Sequence, residues 1–195
     1  AVKQCNLAAI SCQSLIKSQI IVGNVILMEK MNILFKYCHK VSEVKLQIPE
    51  SANVHSLAFE LNSCMVEDSV VSSLFSEILK LNPKVCQSLR ISLNENKGLR
   101  SPHISMTSLK CLQLFTLDFN SCKNMTDIHV TLNGLPKLEH LAIDLMNCYN
   151  LKNPNINITD TIKLKSSKIR YIENENLHPH LALNLKKLNE RITIT

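Results

Sequence analysis

The side chains in this sequence with chemistry to offer are its eight cysteines, its seven histidines and its acids. The cysteines stand at Cys5, Cys12, Cys38, Cys64, Cys86, Cys111, Cys122 and Cys148 with no CxxC pair, so zinc-ribbon spacing is missing. Small apolar core residues in a reducing compartment account for them most simply. Two N-x-T sequons, at Asn124 and Asn157, are the counter-indication. Cys38 beside His39 sets a nucleophile next to a base, but adjacent side chains on a helix diverge, and a buried Cys beside an exposed His is the simpler reading. His178 and His180 flank Pro179, which fixes an extended turn with no third ligand nearby, so they read as a surface loop. There is no HExxH and no GxSxG, and three glycines nearly exclude a phosphate loop. The expectation is a protein without catalytic residues, metal ligands or cofactor.

The formal charge of +6 divides into 6 basic and 3 acidic groups over residues 1–56, 6 and 6 over 57–122, and 10 and 7 over 123–195. A nucleic-acid binder concentrates its cations and adds aromatics for stacking. Here cations are diluted by acids and only 4% of residues are aromatic, which disfavours nucleic acid. The apolar stretch at Ile20, Ile21 and Val22 follows polar residues, is broken by Gly23 and Asn24, and is too short to span a bilayer. No membrane partner and an intracellular, cytoplasmic or nuclear location are expected. A start at Ala1 without Met reads as a processed chain or a piece of a longer one.

Self-similarity supplies the organisation that must position any site. LAFELNSC at 57–64, FTLDFNSC at 115–122 and LAIDLMNC at 141–148 align without a gap, apolar at positions one, three and five and ending in Cys. LRISLNEN at 89–96 keeps the alternation with Asn at the end, and a further step of 26 reaches SKIRYIEN at 167–174. Between the first two segments Val70, Val71, Leu74, Ile78 and Leu81 recur at helical spacing up to Pro83, predicting one strand and one helix per unit. The connector 97–109 reads as irregular, and a helical turn is expected to begin at Thr126 or Asp127.

A unit of about 20–29 residues with a short strand is the leucine-rich-repeat period. The LxxLxLxxN pattern of that superfamily is matched by Val54, Leu57, Phe59 and Asn62, by Cys86, Leu89, Ile91 and Asn94, and by Leu112, Phe115, Leu117 and Asn120. Leu138, Leu141, Ile143 and Met146 match it with Met for Asn. Leu114, Leu117, Phe119 and Cys122, followed by Thr126 and Asp127, resemble the cysteine-containing subtype seen in F-box proteins. The resemblance implies an α/β solenoid with a short parallel sheet on the concave face and helices or irregular turns on the convex face. Residues 1–53 are then a helical N-terminal cap with a capping strand at 41–51, residues 54–174 about five repeats, and residues 175–195 a C-terminal helix and strand stub.

On that frame the residues between the inward-facing ones line a solvent-facing sheet. They include Glu60, Arg90, Asp118, His140, Asp144, Lys168 and Arg170, with Glu60, Asp118 and Asp144 in one column and a basic last unit. The expected function is a non-enzymatic protein–protein interaction module, the substrate-recognition or scaffold part of a larger intracellular assembly such as a ubiquitin-ligase adaptor. A secreted or cell-surface recognition ectodomain is the alternative. The partner is a protein whose identity the sequence leaves open.

Overall fold

A computed structural model describes residues 2–22, 28–50 and 52–171. In chain order its elements are β1 (Val2–Ile10), β2 (Lys17–Ile21), β3 (Met28–Lys36), β4 (Glu43–Gln47), β5 (Val54–Asn62), α1 (Asp68–Ile78), β6 (Ser88–Ser92), β7 (His103–Met106), β8 (Leu114–Asp118), β9 (Asp127–Leu132), β10 (His140–Leu145), β11 (Asn153–Ile158) and β12 (Ser166–Tyr171). The chain winds as a six-turn parallel β-solenoid. The front is a seven-stranded sheet in the order β1-β3-β5-β6-β8-β10-β12, and the back carries a two-stranded sheet, β2-β4, and a three-stranded sheet, β11-β9-β7. Every pairing is parallel.

This corrects the leucine-rich-repeat expectation. A leucine-rich-repeat horseshoe with a helix on the convex side of each unit is not what forms, because the back segments have period-two rather than helical patterning. In β9, Ile128, Val130 and Leu132 are buried while Thr131 is exposed, and in β7, Ile104 and Met106 are buried between His103 and Ser105. β9 occupies the place of the helical turn predicted at Thr126 or Asp127, and β7 lies in the connector read as irregular. The helical N-terminal cap is likewise replaced by β1–β4. The strand predicted at 41–51 does not cap the stack: β4 is the back strand of the second turn and runs parallel to β2. The F-box-like reading, which rested on Leu114, Leu117, Phe119, Cys122, Thr126 and Asp127 as a cysteine-containing leucine-rich repeat, falls because Thr126 and Asp127 lead into β9 of a β-solenoid. The helix and strand stub expected at 175–195, with His178 and His180, lie outside the described residues.

The core is a column between the two faces. Leu57, Phe59, Leu89, Ile91, Phe115, Leu117, Leu141 and Ile143 point inward from the front and meet Ile104, Met106, Ile128, Val130 and Leu132 from the back, all buried. Burial of each such side chain contributes about 1.5–3 kcal/mol. α1 is the described helix, and it stands where the third turn would have its back strand. Its inward stripe of Val70, Val71, Leu74, Phe75 and Ile78 fits the predicted helical spacing. Asp68 accepts the backbone N–H groups of Arg100 and Ser101 at 3.1 and 2.8 Å, tying the start of the helix to the next turn. Gly98 permits that close return, since a Cβ there would lie 2.3 Å from the carbonyl oxygen of Val66.

Each turn leaves the front sheet through one residue of positive φ: Ser11, Tyr37, Ser63, Glu95, Ser121 and Asn147, with φ between 55° and 61°. The interval is 26 residues except for the 32 that accommodate α1 between Ser63 and Glu95. A left-handed residue reverses the strand sharply within one peptide and turns the next side chain inward. That next residue is Cys12, Cys38, Cys64, Asn96, Cys122 or Cys148.

Candidate functional site

The registers of the front sheet turn sequence spacing into columns. One runs Asn6, Asn32, Ala58, Arg90, Thr116, Ala142, Lys168, and the next runs Ala8, Leu34, Glu60, Ser92, Asp118, Asp144, Arg170. Because neighbouring strands lie about 4.8 Å apart, side chains in one column are immediate neighbours. Arg90, Thr116, Asp118, Ala142, Asp144, Lys168 and Arg170 line a groove of about 310 Å³ on the outer surface. Thr116 and Ala142 form its small-residue floor. Five of the seven side chains predicted from the sequence thus meet in one place.

The other two do not join it. Glu60 belongs to the acidic column but sits two strands from Asp118, with Lys36 Nζ at 3.7 Å and the Asn62 amide donating to its carboxylate at 3.3 Å. His140 occupies a third column beside Ser166, whose hydroxyl is 2.8 Å from its Nδ1.

The acids in the groove have work of their own. Asp118 accepts the backbone N–H of Asn120 at 3.1 Å and the Asn94 side-chain amide at 3.0 Å. Asp144, only 6% exposed, accepts the N–H of Met146 at 3.1 Å and is paired with the guanidinium of Arg170. These are turn-closing contacts that satisfy backbone donors where the strands end. By contrast Arg90 and Lys168 are exposed and, among the described residues, take part in no ion pair.

The cysteines are structural. The Sγ–H groups of Cys38, Cys122 and Cys148 donate to the carbonyls of Ala9, Leu93 and Phe119 in the preceding turn at 3.4, 3.0 and 3.1 Å, with Cys64 directed at Phe35 from 4.0 Å. Asn96 replaces Cys in this ladder and donates its amide to Leu61 and Leu93. Burial pushes the thiols of Cys64 and Cys148 up to about 11, that of Cys86 to about 12, and that of Cys122 further in the same direction. All eight cysteines are free. The raised thiols of Cys64, Cys86, Cys122 and Cys148 are poor nucleophiles at neutral pH. The bend lattice of Asn62, Ser92 and Asn94, in which Asn62 Oδ1 accepts from the Ser92 hydroxyl and the Asn94 N–H at 2.8 and 3.0 Å, was missed as a unit. Its signal was the Asn recurring at the end of each alternating segment.

Two of the further cavities include histidines. One, of about 360 Å³, lies between α1 and the back sheet and includes His103 and His129, whose rings stack with centroids 4.3 Å apart. The other, of about 530 Å³, follows the bends past His39, Glu95, Lys97 and Lys123. Among the described residues, no three His, Cys, Asp or Glu side chains are grouped to hold a metal ion. The Asn124 amide of the first sequon donates to the Lys97 carbonyl at 2.8 Å, whereas Asn157 is exposed on β11. No described helix is long and apolar enough to cross a membrane. No family model, curated protein or solved structure matches the chain.

Proposed function

We propose that this chain is a non-enzymatic binding platform that holds a protein partner on the outer face of its front sheet. The observation that carries the reading is the groove over Thr116 and Ala142, where charged side chains from four successive strands converge on a floor of small residues. A sheet whose pitch is fixed by backbone hydrogen bonds presents such groups rigidly, which lowers the ordering cost of association. Shallow clefts of this kind suit a ligand that is itself a polymer. The narrower expectation of a ubiquitin-ligase adaptor rested on the family resemblance and has no support apart from it.

The test is site-specific photo-crosslinking in extract of the source cells with p-benzoylphenylalanine at Thr116 in the groove, and at Thr131 on the back sheet for comparison. The expected result is one discrete protein adduct from position 116 and none of that mass from 131. The same adducts from both positions, or none from 116, would remove the front face as the platform.

A further inference from the structure

Resting on that platform reading, we infer that the groove takes an extended acidic polypeptide segment lying along the solenoid axis, with two carboxylate side chains four residues apart reaching Arg90 and Lys168. The charge in the groove points this way once internal pairings are removed. Asp144 and Arg170 neutralise each other, whereas Asp118 accepts from the uncharged Asn94 amide and Asn120 N–H and keeps its negative charge. Among the described residues Arg90 and Lys168 take part in no ion pair, and set against Asp118 they leave the groove one positive charge in excess. A face that looks acidic by its sequence column therefore carries a cation towards each end of the groove, with Asp118 between them.

The spacing defines the ligand further. Arg90 and Lys168 share a column on β6 and β12, three strand steps apart, or about 14 Å at about 4.8 Å per step. An extended chain advances about 3.4 Å per residue and repeats its facing direction every second residue, so side chains i and i+4 lie on one face about 14 Å apart. The residue between them, i+2, comes down over Thr116 and Ala142 beside the Asp118 carboxylate, which requires it to be small and uncharged. The edge where the chain enters the front sheet adds exposed Lys84, Lys110, Lys137 and Lys163, one in each of four successive turns and none in an ion pair among the described residues, which steer an acidic partner toward this side. Nucleic acid fits less well, since the columns of this face contain no Phe or Tyr on which bases would stack.

The experiment is fluorescence anisotropy with labelled ten-residue Ser/Thr peptides carrying two Glu at i and i+4, two Glu at i and i+3, or two Gln at i and i+4, and with a ten-nucleotide single strand. The i, i+4 Glu peptide is expected to bind at least about tenfold more tightly than the others, with affinity falling as salt rises. Arg90→Ala with Lys168→Ala should abolish that preference, and Arg90→Glu with Lys168→Glu should transfer it to a peptide with Lys at i and i+4. Equal binding of the Gln or i, i+3 peptide, tighter binding of the oligonucleotide, or full affinity in the double Ala variant would overturn the inference. A crosslink at Thr116 without this acid dependence leaves the platform reading standing and removes only the acidic occupant, whereas loss of both removes both.

Discussion

A thiol at most of the bends, with Asn96 at the remaining one, answers a hydrogen-bonding problem specific to winding a chain on itself. At the bend the strand ladder ends, and a carbonyl of the preceding turn faces the interior, where it needs a donor. Cys122, fully buried, supplies that donor to Leu93 while remaining small and apolar enough for the core. Cys122→Ala is therefore expected to cost about 0.5–1.5 kcal/mol by removing one of the two donors to the Leu93 carbonyl, the Asn96 amide being the other, and Cys122→Ser to cost less because its hydroxyl still donates. Urea denaturation of the two variants measures the difference, and equal losses would show that packing alone matters. The sequence displayed the recurring Cys clearly, and its turn-packing role could be inferred. What it concealed was the state of the acids: nothing in the spacing of Asp118 and Asp144 distinguishes a carboxylate offered to a partner from one closing its own turn onto Asn120 and Met146.

Among the elements, the alternating segments from 54 to 145 were legible as strands because their outward positions are polar. The first two front strands carry the same pattern 26 and 52 residues upstream of Leu57, at Met31, Ile33 and Phe35 and at Cys5, Leu7 and Ala9. They were obscured because Leu7 and Ile10, and Met31, Leu34 and Phe35, also fit three- and four-residue steps. Thr126 and Asp127 likewise resemble a helix cap, yet they serve a strand, with Asp127 accepting from Thr126 and from Asn153 on the neighbouring strand. α1 was correctly periodic and is anchored by Glu77, whose carboxylate accepts the N–H of Ile48 at 2.9 Å and pairs with Lys80 at 2.6 Å. Burial pulls the Glu77 carboxyl up, but Lys80 and the Ile48 N–H together outweigh it and hold it below its ordinary 4.5. A lowered folded-state value means the stabilisation is complete above 4.5 and is lost as pH falls through the lower folded value. Glu77→Gln should therefore lower Tm by about 2–4 °C at pH 7, with the deficit shrinking in acid. A deficit independent of pH would show that the carboxylate's charge is irrelevant to docking the helix.

Across the whole molecule, stability is passed between neighbouring turns, as expected of a solenoid in which each repeat contacts only those on either side. The middle strands of the front sheet are paired on both edges, whereas β1, among the described residues, pairs only with β3. Leu7 and Ile10 of β1 are 44% and 56% exposed, so the first turn has less apolar cover than Phe59 or Phe115 in the interior, both at 0%. Native-state hydrogen exchange is expected to release the β1 amides first and those of β6 and β8 last; uniform protection along the stack would indicate one cooperative unit instead. α1 divides the back into two short sheets while leaving the front unbroken, since β5 and β6 pair in the same register as their neighbours despite the six additional residues between them. The front is thus a ruler with fixed graduations, and the back is slack cord. Length variation during descent, or a peptide tag grafted by design, can be absorbed behind the sheet without moving any mark on its face.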